Sequence, residues 1–351
     1  MRCRLSRHEG SMAELLDPEL DKILEGTSRS FYLSLGKLPS KIRSQVGLLY
    51  LLARTSDTIA DSERGSTTDR LVWLRQYGDF VQGSEESLPD LSELAAIQRN
   101  PAEGRLLEVV ESSVAFVNRF SEEDQRRIKS CLETIIGGQT LDLERFGNAS
   151  SDNMVSLQDD SELDDYAYRV AGSVGEFWTS VSLGHLFKLG EEDERRMYEL
   201  AVRFGKALQM INILRDIPED LAMGRCYIPA QALSDIDLAP TDLLEPANMD
   251  NFRPLYSRYL DLTADHLEGA IEYIEMLPHS QFRLRGACML PVLIGYRTLE
   301  RLSEGNVLNQ DERIKISRDE IKDVLKRVAM AVPFPGSGSK LLNKARIAVR
   351  S

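Results

Sequence analysis

Apolar residues recur at three- and four-residue spacing through most of the chain, and no segment sustains the alternation of a half-buried strand. The pattern predicts an almost entirely helical protein. Candidate helices cover residues 18–36, 40–62, 67–82, 102–118, 122–146, 162–188, 192–221, 251–277, 281–304 and 317–331. Ser40 precedes a helix-opening run, and Ser121 with Asp124 and Ser161 with Asp164 read as capping boxes. Residues 83–101 and 146–160 are polar and loop-like. Residues 1–17 read as a flexible N-terminal segment and 333–351 as a flexible tail. The tail's Gly336-Ser-Gly-Ser-Lys340 lacks the spacing of a phosphate loop and follows no strand. No repeat or linker separates two cores, so 18–332 is expected to form one all-α domain.

Composition narrows the classes. With 351 residues, 42% of them hydrophobic, the chain can bury a large core without disulfide staples. Its cysteines, Cys3, Cys131, Cys226 and Cys288, form no C-x-x-C pair and have no histidine at zinc-ligand spacing, which fits a reducing cytoplasm. A net charge of −13 and a pI near 5.0 argue against a nucleic-acid partner, whose phosphates need a basic face. The charged opening segment lacks the apolar stretch of a signal peptide, and no run approaches the ~18 apolar residues of a membrane span.

The candidate chemistry lies in carboxylates. Aspartates at i and i+4 share one helix face, where they can hold a divalent cation, and this chain has six such pairs: Asp17/Asp21, Asp57/Asp61, Asp160/Asp164, Asp216/Asp220, Asp261/Asp265 and Asp319/Asp323. Two of them end helical segments too apolar to be surface. Val46-Gly-Leu-Leu-Tyr-Leu-Leu-Ala-Arg54 leads to Asp57, and Ala207-Leu-Gln-Met-Ile-Asn-Ile-Leu-Arg215 leads to Asp216. Tyr50, Arg54, Asp57 and Asp61 form one polar stripe, and Gln209, Asn212, Asp216 and Asp220 another. Two like charges ~6 Å apart repel by about 3 kcal/mol at an effective dielectric near 20, and a bound cation reverses the sign. All-oxygen donors without histidine or cysteine favour Mg²⁺. The other four pairs lie on ordinary polar faces and read as solvated helix surface. Arg54, Arg215 and Arg225 add forked donors suited to phosphate oxygens, and Pro218 is placed to kink the helix beside the second stripe.

These residues resemble the squalene and phytoene synthase family over roughly residues 26 to 304. The matching motifs are Thr27-Ser-Arg-Ser-Phe31, Tyr50-Leu-Leu-Ala-Arg-Thr-Ser-Asp-Thr-Ile-Ala-Asp61, Gly137-Gly-Gln-Thr-Leu-Asp142, Tyr166-Ala-Tyr-Arg-Val-Ala-Gly-Ser-Val-Gly175, and Gln209 to Asp220 followed by Gly224-Arg-Cys-Tyr-Ile-Pro229. The resemblance implies a single isoprenoid-synthase helical bundle with a central active-site cavity. It also implies that Asp57, Asp61, Asp216, Glu219 and Asp220 hold Mg²⁺, and that Arg29, Ser30, Arg54, Gln209, Asn212, Arg215 and Arg225 serve the diphosphate. Tyr50, Tyr166 and Tyr168, with Arg54, match the catalytic positions. Phe31, Phe177 and Trp178 suit either a prenyl tunnel or plain core. The chain departs from the pattern at Ala60, where animal and plant squalene synthases carry glutamate, and at Arg169, where several members have tyrosine or a small residue.

As the family implies, two farnesyl diphosphates join head to head through a cyclopropyl diphosphate. The final cation is then reduced by NADPH to squalene, loses a proton to give dehydrosqualene or phytoene, or captures water to give hydroxysqualene. Asp-Thr-x-x-Asp and the segment Arg283 to Leu299 favour the squalene branch, with Arg283, Arg285 and Pro291 shaping its reductive half or simply starting a core helix. No G-x-G-x-x-G fingerprint marks a nicotinamide site, and squalene synthases lack one too. A hydrophobic product predicts peripheral contact with a membrane surface. The alternatives are a helical assembly factor that binds protein partners without catalysis, and a head-to-tail prenyltransferase or terpene cyclase, which would lack the Tyr-x-Tyr-x-Val-Ala-Gly motif.

Overall fold

Helices form where the periodicity places them, because each buries one apolar stripe against its neighbours. The computed structural model describes residues 16–28, 32, 35–62, 64–334 and 336–350. The helices, in chain order, are α1 (Pro18–Ser28), α2 (Ser40–Ala60), α3 (Thr67–Gln82), α4 (Ser92–Ala96), α5 (Pro101–Glu108), α6 (Val110–Phe116), α7 (Glu122–Phe146), α8 (Asp160–Ala167), α9 (Ser173–His185), α10 (Glu191–Arg215), α11 (Ile217–Ala222), α12 (Ala230–Ser234), α13 (Met249–Met276), α14 (Phe282–Glu304), α15 (Arg318–Ala331) and α16 (Ser337–Arg350). The only strands among the described residues are β1 (Val155–Ser156) and β2 (Arg225–Cys226), paired in parallel with Val155 opposite Arg225. The architecture is a single-domain all-α bundle, as the periodicity predicts.

Helix α10 is central, packing against α9, α13 and α14, while α7 packs against α2, α3 and α9. Close approach is possible at Gly205 of α10, where a Cβ would stand 2.1 Å from the Ala171 carbonyl oxygen. That carbonyl belongs to a π-helical turn, Tyr168–Gly172, between α8 and α9. Buried tyrosines tie the elements together by donating to backbone oxygens: Tyr77 to Leu52 at 2.8 Å and Tyr256 to Leu214 at 3.0 Å.

Several local expectations change. The N-cap of α8 is Asp159, whose side chain accepts from the Ser161 and Glu162 amides at 2.9 and 3.1 Å, so Ser161 does not open a capping box. Asp164 pairs instead with Lys206 at 2.7 Å. Ser121 does accept from the Asp124 amide at 3.2 Å, but the Asp124 carboxylate is drawn to His185 and Arg127. Pro218 does more than kink the helix: α10 ends at Arg215, and α11 restarts with the proline in its first turn.

The expected tail 333–351 contains α16, which packs on α14 with Leu342 fully buried. Leu341, Leu342 and Ala345 supply an apolar stripe that the glycine-rich opening conceals. The expected flexible segment 1–17 lies, except for its last two residues, outside the described residues. Arg285, offered by the sequence either for the reductive half or as the start of a core helix, is buried in the first turn of α14 and donates to the Ile274 and Leu277 carbonyls at 2.6 Å each, capping the end of α13.

Candidate active site

The apolar run Leu48–Leu52 buries α2 and carries Asp57 to its last turn; Asp61 is the C-cap, and its amide donates to the Asp57 carbonyl at 2.8 Å. The second stripe repeats the device, with Asp216 the C-cap of α10. Helix C-termini hold the negative end of the macrodipole, so carboxylates there are disfavoured unless a cation joins them.

Between these helices lies a cavity of about 470 Å³, walled by α2, α7, the π-turn, α9 and α10 and closed by Arg225 and Tyr227. Val46, Leu49, Ile135, Leu143, Val170, Val174, Phe177 and Trp178 make most of it apolar, while Tyr50, Asp57, Asp61, Gln139, Asp142, Tyr166 and Gln209 add polar groups. An apolar chamber with polar groups on part of its wall suits a ligand with a hydrocarbon body and a charged head.

The carboxylates are under electrostatic pressure. Burial, and then the Asp61 charge, push the Asp57 carboxyl up to about 6, although Gln139 donates an amide hydrogen to it. Burial, and then Asp216, raise Asp220 to about 7. Burial likewise raises Asp142 to about 6, against the opposing Tyr227 hydroxyl at 2.8 Å and Arg225 at 3.8 Å. Arg225 feels Asp61, Asp142 and Asp220 together, so one guanidinium links both stripes. It is held there by the β1–β2 pairing and by the turn at Gly224, where φ is +76° and a Cβ would meet Ser150 backbone at 2.1 Å. Gln139 Oε1 and Arg54 Nε are buried without a hydrogen-bond partner. Among the described residues no three His, Cys, Asp or Glu side chains form a ready-made metal cage.

Tyr166 stacks on Tyr227 with centroids 5.0 Å apart, and Tyr227 also packs at 5.0 Å on Phe146. Burial drives both hydroxyls well above the ordinary phenol range. Tyr50 is also raised by burial, against the pull of Arg54, and donates to the Thr27 carbonyl at 3.2 Å.

Other expected site residues lie apart from the cavity wall. Tyr168 is turned by the π-helical segment toward Glu176, to which it donates at 3.0 Å, and does not line the cavity. Asn212 is exposed and Arg54 faces Glu103 at 3.5 Å. Arg215 grips its neighbour Asp216 through two bonds of 2.8 and 2.5 Å. Glu219 and Asp216 meet Arg313 at 2.7 and 3.6 Å, beside a smaller cavity of about 200 Å³. Arg29, Ser30 and Phe31 lie outside the described residues.

Gln139, Asp142, Tyr227 and Arg313 were not singled out from sequence. The first three sit inside motif blocks already matched, so helical spacing from Asp142 back to Gln139 was the available signal. Nothing local marks Arg313.

The family model for squalene/phytoene synthase matches residues 24–320. The chain belongs to the squalene/phytoene synthase family. Its relatives include the presqualene diphosphate synthase of Rhodopseudomonas palustris, 32% identical over 61% of this chain and 62% of that protein. The 15-cis-phytoene synthase of Synechocystis is 28% identical over 71% and 66%, and the bifunctional lycopene cyclase/phytoene synthase of Colletotrichum graminicola is 27% identical over 72% and 41%. The chain thus spans less than two thirds of the length of these relatives. Among solved structures, TcSQS with a bound ligand superposes with TM-score 0.76 at 18% identity, covering 97% of this chain and 93% of that one. The squalene synthase HpnC of Alicyclobacillus acidocaldarius gives 0.59 at 20%, covering 82% and 92%. These likenesses show the fold. No helix among the described residues is long and apolar enough to cross a membrane.

Proposed function

We propose that this chain joins two farnesyl diphosphates head to head through presqualene diphosphate and reduces the product with NADPH to squalene. The observation that carries the reading is the Arg225 guanidinium, in the electrostatic reach of Asp61, Asp142 and Asp220, at one edge of an apolar cavity. A prenyl diphosphate has the matching form, an anionic head and a hydrocarbon tail.

Mg²⁺ fits the donor set. Asp57, Asp61, Asp216, Glu219 and Asp220 offer only hard oxygens, the raised Asp57 and Asp220 carboxyls report uncompensated negative charge, and the unpartnered Gln139 Oε1 is a further acceptor. Mg²⁺ commonly uses one or two carboxylates and takes the rest of its shell from water and phosphate, so a three-carboxylate cage is not required. When bound it supplies the positive charge that stabilises a leaving diphosphate. Arg225, at the cavity edge, orients the diphosphate oxygens, Arg54 and Arg215 join it only on turning from Glu103 and Asp216, and the walls from Phe177, Trp178 and Val174 exclude water from a carbocation. Tyr50 and Tyr166 present aromatic faces and neutral hydroxyls to the same space.

A second reading stops at presqualene diphosphate, favoured by the similarity to the R. palustris synthase of that compound. Purified protein would be incubated with farnesyl diphosphate and Mg²⁺, with and without NADPH, and products identified by mass spectrometry. Squalene formed only with NADPH supports the first reading. Presqualene diphosphate accumulating regardless of NADPH supports the second, dehydrosqualene or hydroxysqualene moves the product to another branch, and no turnover of any prenyl diphosphate returns the chain to the partner-binding alternative.

A further inference from the structure

The chain is acidic overall, yet residues 324–351 contain no Asp or Glu and carry Lys326, Arg327, Lys340, Lys344, Arg346 and Arg350. This segment lies beyond the residues that match the family, 24–320. Among the described residues, the three most exposed large apolar side chains all fall within it: Met330 at 66%, Phe334 at 65% and Ile347 at 62%. Exposed apolar side chains scattered over a surface need no explanation, but their concentration in one short basic stretch does.

Helical geometry separates an anchored face from a free one. On α15, Val324 and Val328 are buried, while Lys326 and Met330, also at i and i+4, point the other way. On α16, Leu342 is buried and Gly338 lies against Met289 of α14, while Lys340, Lys344 and Ile347, at i, i+4 and i+7, form the opposite stripe. Phe334 stands in the turn joining the two helices, which pack on each other and on α14. Among the described residues, Lys326, Lys340 and Lys344 meet no carboxylate; Arg327 is paired with Asp323 at 2.8 Å.

We infer that the outer face of α15 and α16 is a docking surface for a lipid bilayer carrying anionic headgroups. Free ammonium groups beside projecting apolar side chains are what an interfacial helix presents, with the amines toward phosphates and the apolar tips below them. The net charge of −13 does not forbid this. At physiological ionic strength charges are screened beyond about 8 Å, so the local basic face governs contact with a flat anionic surface. Helix α16 has 14 residues, about 21 Å, too short for a ~30 Å hydrocarbon core, so the contact is in the interface and not across the membrane.

The test is co-sedimentation of the full chain with extruded vesicles of phosphatidylcholine alone or with about one third phosphatidylglycerol. Near-surface lysines each contribute about fivefold to anionic binding, so the wild type is expected to bind the mixed vesicles at least about tenfold more tightly, with the preference lost in about 0.5 M salt. Lys340→Glu/Lys344→Glu should abolish the preference. Met330→Ser/Phe334→Ser/Ile347→Ser should weaken binding to both vesicles, and Leu262→Ser on α13, also an exposed apolar position, should change nothing. Melting curves of each variant check folding.

Equal binding to the two vesicle types, or none, would overturn the inference. So would concentration-dependent self-association that the triple serine variant removes, which would assign the face to a second copy of this chain. Turnover of farnesyl diphosphate in detergent, measured in parallel, tests the proposed chemistry separately from the surface.

Discussion

The two carboxylate stripes share spacing and a place at a helix C-terminus, but the chain treats their charge differently. Among the described residues Asp57 and Asp61 have no ion pair; the contact to Asp57 is the neutral amide of Gln139. At the second stripe Arg215 holds Asp216, and Arg313 bridges Asp216 and Glu219. Only Asp220 there carries the same uncompensated burial as Asp57. The first stripe has only the fields of Arg54 and Arg225, without an ion pair, against its charge, whereas the second already carries a close, removable substitute. If both serve one reaction, they should differ in how steeply they respond to lost carboxylates, lost donors, pH and lost arginine.

The largest effect is expected from removing the unpaired charges. Asp57→Ala and Asp220→Ala should each reduce turnover of farnesyl diphosphate by about 10³-fold or more, the scale at which positioned charge stabilises a leaving group. Asp261→Ala, from an i, i+4 pair that is exposed on α13, should leave the rate within about twofold. Comparable losses in all three, by initial-rate assay, would remove the distinction between stripe and surface.

That control shows why the site was legible. The stripes stand out because a polar period of four and seven interrupts buried runs, as in Leu48–Leu52. The other pairs end on ordinary partners: Asp160 and Asp164 on Arg258 and Lys206, Asp319 on Lys322, and Asp17 on the Leu20 amide. Helix positions were legible for the same reason, each burying one stripe. The Asp142–Tyr227 bond was not, because it joins α7 to the segment after β2 across 85 positions, and no local period encodes such a meeting. Arg313 was invisible on the same ground. Tyr168 misled because the resemblance carried both tyrosines of the Tyr-x-Tyr motif into the site, whereas side chains two apart on a helix face opposite sides; Tyr166 lines the cavity and Tyr168, at the start of the π-turn, bonds Glu176. Helix α16 was missed because glycine and serine at its start outweighed the apolar stripe behind them.

A smaller loss is expected at the donor that steadies the first stripe. Gln139→Leu removes the amide hydrogen given to Asp57 and the unpartnered Oε1, and should cost about 10–100-fold in turnover, typical of groups that orient ligands without touching the reacting atoms. Direct titration of Mg²⁺ by calorimetry should show weaker binding. An unchanged isotherm with a reduced rate would move Gln139 from the stripe to the substrate.

Acidity probes the one strained carboxyl that each stripe carries in the metal-free protein. A buried carboxyl whose folded pKa lies above its unfolded value near 3.8 keeps its proton longer when folded, so the folded state binds more protons between pH 4 and about 6 for Asp57, or about 7 for Asp220. These groups make the protein less stable as pH rises through that window. Relative to Asp57→Asn/Asp220→Asn, the metal-free wild type should therefore lose roughly 2–5 °C of Tm between pH 5 and pH 8. Parallel Tm profiles for the two proteins would mean that the carboxyls are not strained by burial.

The smallest effect probes the substitute cation itself. Arg313 is 48% exposed and Glu219 40%, so solvent screens their contact and its worth is at most about 1 kcal/mol. Arg313→Gln should nevertheless act in a definite direction: with the guanidinium gone, Asp216 and Glu219 lack a competing cation, and Mg²⁺ should bind up to about fivefold more tightly in the absence of substrate. Asp57→Asn measured beside it should weaken Mg²⁺ binding, because it removes a carboxylate donor and frees no ion-paired site. Weaker binding in Arg313→Gln would show that the arginine shapes the carboxylates for the metal. Tighter binding would make the second stripe a site held ready by a cation that must leave.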